Sequence, residues 1–457
     1  MENLNESSKK YLPTWESIRT HELPKWYDDA KFGIFIHWGL YSVPAYAPPS
    51  GELGSIDWSK WFYMNPYAEW YLNSIRLKSS DTWEYHKKKY GENFDYELFS
   101  YMWKAEMWDP NEWAQIFKEI GARYVVLTAK HHDGFCLWPS KYTDYNSYQR
   151  GPRRDIVGEL TSAVRSQGIR MGLYYSGALD WRYTEQPITS LEDLLYIRPH
   201  TYAYADYAYN QLIELIDRYK PSVLWGDIGW PEKGREDLKY VFAHYYNTVS
   251  EGVVNDRWDG VWKDFSTKEY QFSISPVQGK WEMTRGIGFS FGYNANEGPE
   301  HIISERDLIE LLVKTVANGG NLLLNIGPKA DGTIPELQLQ RLRQLGNWLK
   351  VNSEAIYSTR LWVKTEGESL EGNRVYFTNR DNNLYITVFD PLKNRTVTID
   401  EVIIAKPFEV QILGISQAAK FEYDEKIRRL IVLFPEEYQD AVAYVIKVTA
   451  ELIQAED

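Results

Sequence analysis

The chain has 457 residues, more than one ordinary hydrophobic core holds, which calls for a large domain and a smaller one. Its 51 Lys and Arg stand against 64 Asp and Glu, a net charge of −13 with no basic block or stripe, which argues against nucleic acid or an anionic membrane surface as a partner. The single cysteine, Cys136, excludes an internal disulfide and speaks against a cysteine-based zinc site.

No stretch approaches the ~20 apolar residues of a membrane span, and the polar start Met1–Lys10 lacks the apolar core of a signal peptide, so a cytoplasmic location is expected. Aromatic residues make up 16% of the chain, and flat rings serve both as core filler and as surfaces for sugar faces.

In chain order, the apolar run from Lys31 through Phe32-Gly-Ile-Phe-Ile-His-Trp-Gly39 reads as a strand that finishes in His37 and Trp38, followed by a Pro/Gly-rich loop leading to Glu69 and Trp70. Asp109-Pro-Asn-Glu112 opens a helix, with Asp109 as cap and Pro110 at the first helical position, and Gly121 closes it. The strand Tyr124–Thr128 then runs into Lys130-His-His-Asp-Gly-Phe135.

The same pattern recurs. A helix at Ile156–Gln167 precedes a strand at Arg170–Tyr175, and a helix at Tyr204–Tyr219 precedes Ser222-Val-Leu-Trp-Gly-Asp-Ile-Gly-Trp230. A helix at Glu236–Tyr246 precedes a strand at Gly252–Arg257, one at Ser304–Ala317 precedes Leu322–Ile326, and Pro335–Val351 closes the series.

Strand–helix alternation over more than 300 residues, with polar groups just after the strands, predicts a (β/α)8-like TIM barrel whose active site lies at the strands' C-terminal face. A doubly wound open sheet is the rival, but no Gly-x-Gly-x-x-Gly opens an early helix. After about Ser358 short apolar runs with turn signals replace the helices, which predicts a C-terminal antiparallel β-sandwich. The expected division is a catalytic barrel over residues 1–357 and a sandwich over 358–457.

Asp227 follows its strand directly, between Gly226 and Gly229 with Trp225 and Trp230 on either side. That setting suits a nucleophile, and equally an Asp that caps the next turn. His37, Glu69, His131, His132, Tyr174, Arg257 and Glu269 read as the other strand-end groups, which a barrel would gather at one mouth.

Metal hydrolysis would use His131, His132 and Asp133. It is disfavoured because adjacent residues of a strand face opposite ways and no zinc-binding histidine spacing occurs. Two carboxylates beside an aromatic-walled pocket fit glycoside hydrolysis better.

The chain resembles the α-L-fucosidases of glycoside hydrolase family 29. The resemblance runs through Phe32-Gly-Ile-Phe-Ile-His-Trp-Gly39, Lys130-His-His-Asp-Gly-Phe135, Leu173-Tyr-Tyr-Ser176, Trp225-Gly-Asp-Ile-Gly-Trp230, Thr284-Arg-Gly-Ile-Gly288 and Asn318-Gly-Gly-Asn-Leu-Leu-Leu-Asn-Ile-Gly-Pro328. It implies a retaining exo-hydrolase of α-L-fucosyl glycans or glycosides, with Asp227 as nucleophile and no metal or organic cofactor.

It further implies that His37, Glu69, His131 and His132 bind sugar hydroxyls. Trp70, Tyr174 and Trp225 would shape the pocket, Arg257 would lie near the nucleophile, and Phe291 would pack against the sugar's methyl group. Glu269 is the favoured acid/base and Glu282 the runner-up. Gly226 departs from the polar residue more usual at that point of the pattern. The alternatives are a fucose-binding protein without turnover and a metal-dependent hydrolase using His131 and His132. A homo-oligomer is compatible with a chain of this kind.

Overall fold

Apolar runs alternating with capped amphipathic segments fold into parallel strands covered by helices. The computed structural model describes residues 11–271, 279–390, 392–436 and 441–455, and the polar start at 1–10 lies outside them. Strands β1 (Phe32–Ile36), β2 (Tyr124–Lys130), β3 (Arg170–Ser176), β4 (Val223–Asp227), β5 (Val253–Val254), β6 (Ser266–Glu269), β7 (Trp281–Gly286) and β8 (Gly320–Ile326) form one sheet among the described residues. Its order is β5-β4-β3-β2-β1-β8-β7-β6, with parallel ladders throughout. This is the expected barrel architecture. Strands β1, β2, β4 and β8 are buried along their whole length, as parallel strands covered on both faces must be.

The outer helices are α1 (Pro110–Glu119), α2 (Ile156–Ser166), α3 (Tyr202–Tyr219), α4 (Leu238–Thr248), α5 (Glu305–Ala317) and α6 (Glu336–Asn352). Asp109, Asp155, Thr201 and Ser304 cap four of them by accepting backbone N–H bonds in the first turn. No helix among the described residues is long and apolar enough to cross a membrane.

Inside the barrel, Phe35, Tyr124, Val126, Tyr174, Trp225 and Leu323 form one cluster with Tyr27, which the helix Lys25–Ala30 brings in just before β1. Two strands that the sequence does not announce, β6 and β7, are rich in polar residues. Strand β7 holds them because the barrel satisfies them: Glu282 accepts from Tyr27 Oη (2.7 Å), Trp225 Nε1 (2.9 Å) and Tyr124 Oη. Strand β6 is half-exposed because it borders the barrel's seam.

No ladder joins β5 to β6 among the described residues. The strand expected at Gly252–Arg257 keeps ladder pairing only at Val253 and Val254. Beyond them the Asn255 carboxamide substitutes for the main chain, accepting from Gly226 N (2.8 Å) and donating to Gly226 O (2.9 Å). The backbone is thereby free to swing outward and carry Arg257 over the barrel mouth. Across the seam, Asp264 N donates to Val254 O (2.9 Å) and Thr267 N to Asp256 Oδ1 (3.1 Å).

The C-terminal sandwich pairs a five-stranded sheet with a three-stranded one. The first has the order β14-β17-β11-β10-β9 and comprises β9 (Arg360–Glu368), β10 (Arg374–Arg380), β11 (Asn383–Phe389), β14 (Phe408–Ile412) and β17 (Ala443–Ala450). The second has the order β12-β16-β15, from β12 (Thr396–Ile399), β15 (Lys420–Asp424) and β16 (Arg429–Leu433). Phe377, Ile386 and Val388 share a core with Val397, Leu430 and Val432 across the two. A small ladder of β13 (Val402–Ile404) and β18 (Ile453–Ala455) adds to it. The sandwich is fastened to the outer helices, through Tyr376 Oη to Glu310 (2.9 Å) and Trp348 Nε1 to Ala443 O (3.1 Å). It lends no described residue to the cavity at the barrel mouth.

Candidate active site

Every site residue expected from the sequence lines one cavity at the strands' C-terminal ends: Asp227 and Glu269 with His37, Glu69, Trp70, His131, His132, Tyr174, Trp225, Arg257 and Phe291. Asp227 is the last residue of β4 and Glu269 the last of β6. Arg257 joins them, donating from Nη1 to Asp227 Oδ1 (3.0 Å) and from Nη2 to Glu269 Oε2 (2.9 Å). The other Asp227 oxygen accepts from Tyr174 Oη at 2.8 Å.

Burial alone would raise the Asp227 carboxyl. The Arg257 guanidinium and the Tyr174 hydroxyl more than offset that and hold it below the ordinary carboxylate value. Glu269 is the more open of the two, its side chain 20% exposed against 12% for Asp227. Tyr67 Oη donates to its other oxygen at 2.8 Å.

The histidines are neutral hydrogen-bonding groups. Burial drops His37 to about 3 and His132 to about 4, each partly offset by a neighbouring acceptor or by Asp227. His131 is lowered well below its ordinary value by burial and by the two rings beside it. Asn325 Nδ2 donates to Phe291 O (2.7 Å), so its Oδ1 accepts from His37 Nδ1 (2.7 Å) and fixes that tautomer. Ser176 Oγ donates to Leu179 O and therefore accepts from His132 Nδ1 (2.6 Å), which leaves His132 Nε2 unprotonated 3.7 Å from Asp227. That approach is not an ion pair.

His131 Nδ1 is buried without a hydrogen-bond partner. The two rings lie 4.0 Å apart, both on the cavity, because they follow the end of β2 and do not alternate as strand residues do. The alternation argument against a metal therefore does not apply here. Among the described residues, however, no group of three His, Cys, Asp or Glu is arranged to hold an ion.

Glu69 differs from the expected placement at a strand end. It sits on the single turn Ala68–Trp70 in the long β1–β2 connection and reaches in to accept from Gly292 N at 2.7 Å. Burial pushes it up to about 8, although that N–H partly offsets the effect. Its folded-state pKa lies above the ordinary 4.5, so its contribution to stability is fully present below that value and is lost as pH rises through about 8. Glu69→Gln, which cannot ionise, gains stability relative to wild type over that window, and paired thermal melts across pH read the difference directly.

Glu282 is fully buried inside the barrel with both oxygens occupied by Tyr27, Tyr124 and Trp225, and it does not line the cavity. Gly226 has a steric explanation: a Cβ there would lie inside the van der Waals surface of the Trp258 indole. Gly226→Ser therefore costs about 1–3 kcal/mol, visible as a lower urea midpoint.

Several lining residues carry no sequence signal that singles them out, among them Tyr67, Trp58, Trp61, Leu194 and Ile228. Tyr67 stands two residues before Glu69, in a segment whose interest the sequence does show.

Two carboxylates beside one aromatic-walled cavity at a barrel mouth are the arrangement that glycoside hydrolysis requires. The Alpha-L-fucosidase family model matches residues 1–354. An alpha-L-fucosidase of Dictyostelium discoideum is 38% identical over 89% of this chain and 87% of its own length. A Thermotoga maritima alpha-L-fucosynthase, solved in complex with alpha-L-Fuc-(1-2)-beta-L-Fuc-N3, is 52% identical with a TM-score of 0.91, covering 96% of this chain and 100% of that one. The Thermotoga maritima alpha-fucosidase in complex with a mechanism based inhibitor is 51% identical with a TM-score of 0.90, at 96% and 100% coverage. The chain belongs to the alpha-L-fucosidase family and is a glycoside hydrolase.

Proposed function

We propose that the protein is a retaining exo-α-L-fucosidase with Asp227 as nucleophile and Glu269 as acid/base. The observation that carries this is the Arg257 bridge, which holds a buried, ionised carboxylate and a more open one beside the same cavity. Retention requires the two carboxyls ~5–5.5 Å apart, and a single bridging guanidinium favours close spacing.

Asp227 attacks the anomeric carbon as the glycosidic C–O bond breaks, and Glu269 gives its proton to the departing oxygen. Water then enters, yields a proton to the Glu269 carboxylate, and its oxygen displaces Asp227 from the sugar. Both steps invert, so the product keeps the α configuration.

His37, Glu69, His131 and His132 engage the sugar hydroxyls. The unpartnered His131 Nδ1 and the acceptor nitrogens left by Asn325 and Ser176 support that assignment. Trp70, Tyr174 and Trp225 wall the pocket, and Phe291, 5.0 Å from the His37 ring, faces the sugar's methyl group. Catalysis is assigned to residues 1–357 and mechanical support to 358–457. NMR of the first-formed sugar tests the reading: α-L-fucose appearing before mutarotation supports it, and β-L-fucose appearing first overturns the nucleophilic role of Asp227.

A further inference from the structure

The cavity has two chemically distinct halves. Its floor carries His37, Glu69, His131, His132 and Asp227, all buried. Its rim is apolar: Trp58, Trp61, Leu191, Leu194 and Ile228 line it, with Trp58 42% and Leu191 45% exposed. Apart from Arg257 and Glu269, no charged side chain lines the rim half among the described residues. Large apolar groups left in water beside a reaction centre mark a contact surface.

The rim begins at the proton donor. Tyr67, which holds Glu269, meets the Trp61 ring edge-on at 5.1 Å, and Trp61 meets Trp58 at 5.7 Å. A leaving group protonated by Glu269 must therefore lie along this aromatic edge.

Ile228 adds an independent observation. It follows Asp227 with φ +55°, a left-handed conformation that a β-branched side chain strongly disfavours. The next residue, Gly229, is also left-handed at φ +79° and is the residue type such a turn favours. Keeping isoleucine at the first of the two positions opposes backbone stability. Its side chain lines the cavity and packs against the same apolar cluster as Trp61 and Leu194.

We propose that this rim is a leaving-group subsite for aglycones that present a flat apolar face, an aryl ring or the C–H face of a pyranose, and that Ile228 is retained there as a specificity-determining residue. The proposal rests on the fucosidase reading and names what that enzyme accepts on the far side of the scissile bond.

The test compares kcat/KM on 4-nitrophenyl α-L-fucoside, a fucosylated disaccharide and α-L-fucosyl fluoride, whose leaving group is too small to reach the rim. The proteins are wild type, Trp58→Ala and Ile228→Gly. The aryl-to-fluoride ratio falls about tenfold in each variant. Ile228→Gly relieves the left-handed backbone but gives up the side chain's packing, so a cooperative thermal melt is recorded beside the kinetics to establish that the variant is folded. A parallel fall in the disaccharide-to-fluoride ratio supports recognition of sugar faces, and an unchanged disaccharide ratio supports the aryl form alone. Both ratios staying within twofold of wild type in both variants overturns the subsite while leaving the fucosidase reading intact. Failure of wild type to turn over the fluoride overturns the fucosidase reading, and this proposal with it.

Discussion

Asp227→Gly lowers kcat on aryl α-L-fucosides by about 10⁴- to 10⁶-fold, the scale on which loss of a nucleophile is felt in enzymes that work through a covalent intermediate. The loss is chemical. The variant stays folded because Arg257 keeps Glu269 as its partner at 2.9 Å, so no buried cation is left alone. Tyr174 loses an acceptor but remains stacked on Trp225 at 5.5 Å. The cavity opened beside β4 admits a small anion, and the guanidinium that oriented the carboxylate attracts it. Azide therefore restores turnover of substrates with good leaving groups and yields β-L-fucosyl azide, the product of a single inversion. Product analysis by NMR reads the outcome, and rescue giving the α azide would falsify the assignment.

Glu269→Ala has the second largest effect, and its pattern is more informative than its size. On a fucosylated disaccharide, whose leaving oxygen needs a proton, kcat/KM falls about 10²- to 10⁴-fold. On a dinitrophenyl fucoside, whose leaving group departs unaided, the first step is nearly unchanged and hydrolysis of the covalent intermediate becomes limiting. Glu282→Gln should show none of these dependences, because Glu282 lies inside the barrel with Tyr27 and Trp225 on its oxygens. A Brønsted series over leaving groups of graded acidity separates the two. A steepened slope for Glu282→Gln with a wild-type slope for Glu269→Ala would reverse the assignment.

The parts of this site that strands deliver are legible in the chain. His37, His131, His132, Tyr174 and Asp227 each stand in or just past an apolar run, where the barrel's geometry gives the sequence position a meaning in space. Glu69 shows the limit of that rule. It reads among the strand-end groups in the sequence, yet it arrives on a loop turn, which no strand periodicity places.

Strands β6 and β7 escape detection for opposite reasons. One borders the seam and is half-exposed, whereas the other turns polar groups into the barrel, where tyrosine hydroxyls and an indole meet them. No alternation survives in either. The early end of β5 is equally invisible, since an asparagine that bonds as a ladder residue would is indistinguishable in sequence from one that does not. Ile228 is misleading in another way: its type suggests strand continuation, and the backbone adopts the conformation it least favours.

The open seam beside β6 bears on how an enzyme of this design could change over time. Asp227 sits in a strand clamped by β3 on one side and by β5 and Asn255 on the other, so its position cannot move without disturbing the barrel. Among the described residues, Glu269 ends a strand with a ladder partner on one flank alone, reached through the connection from 255 to 265. Because that connection also carries Arg257, a change in its length would move Glu269 and the guanidinium together relative to Asp227, which β3 and β5 hold in place.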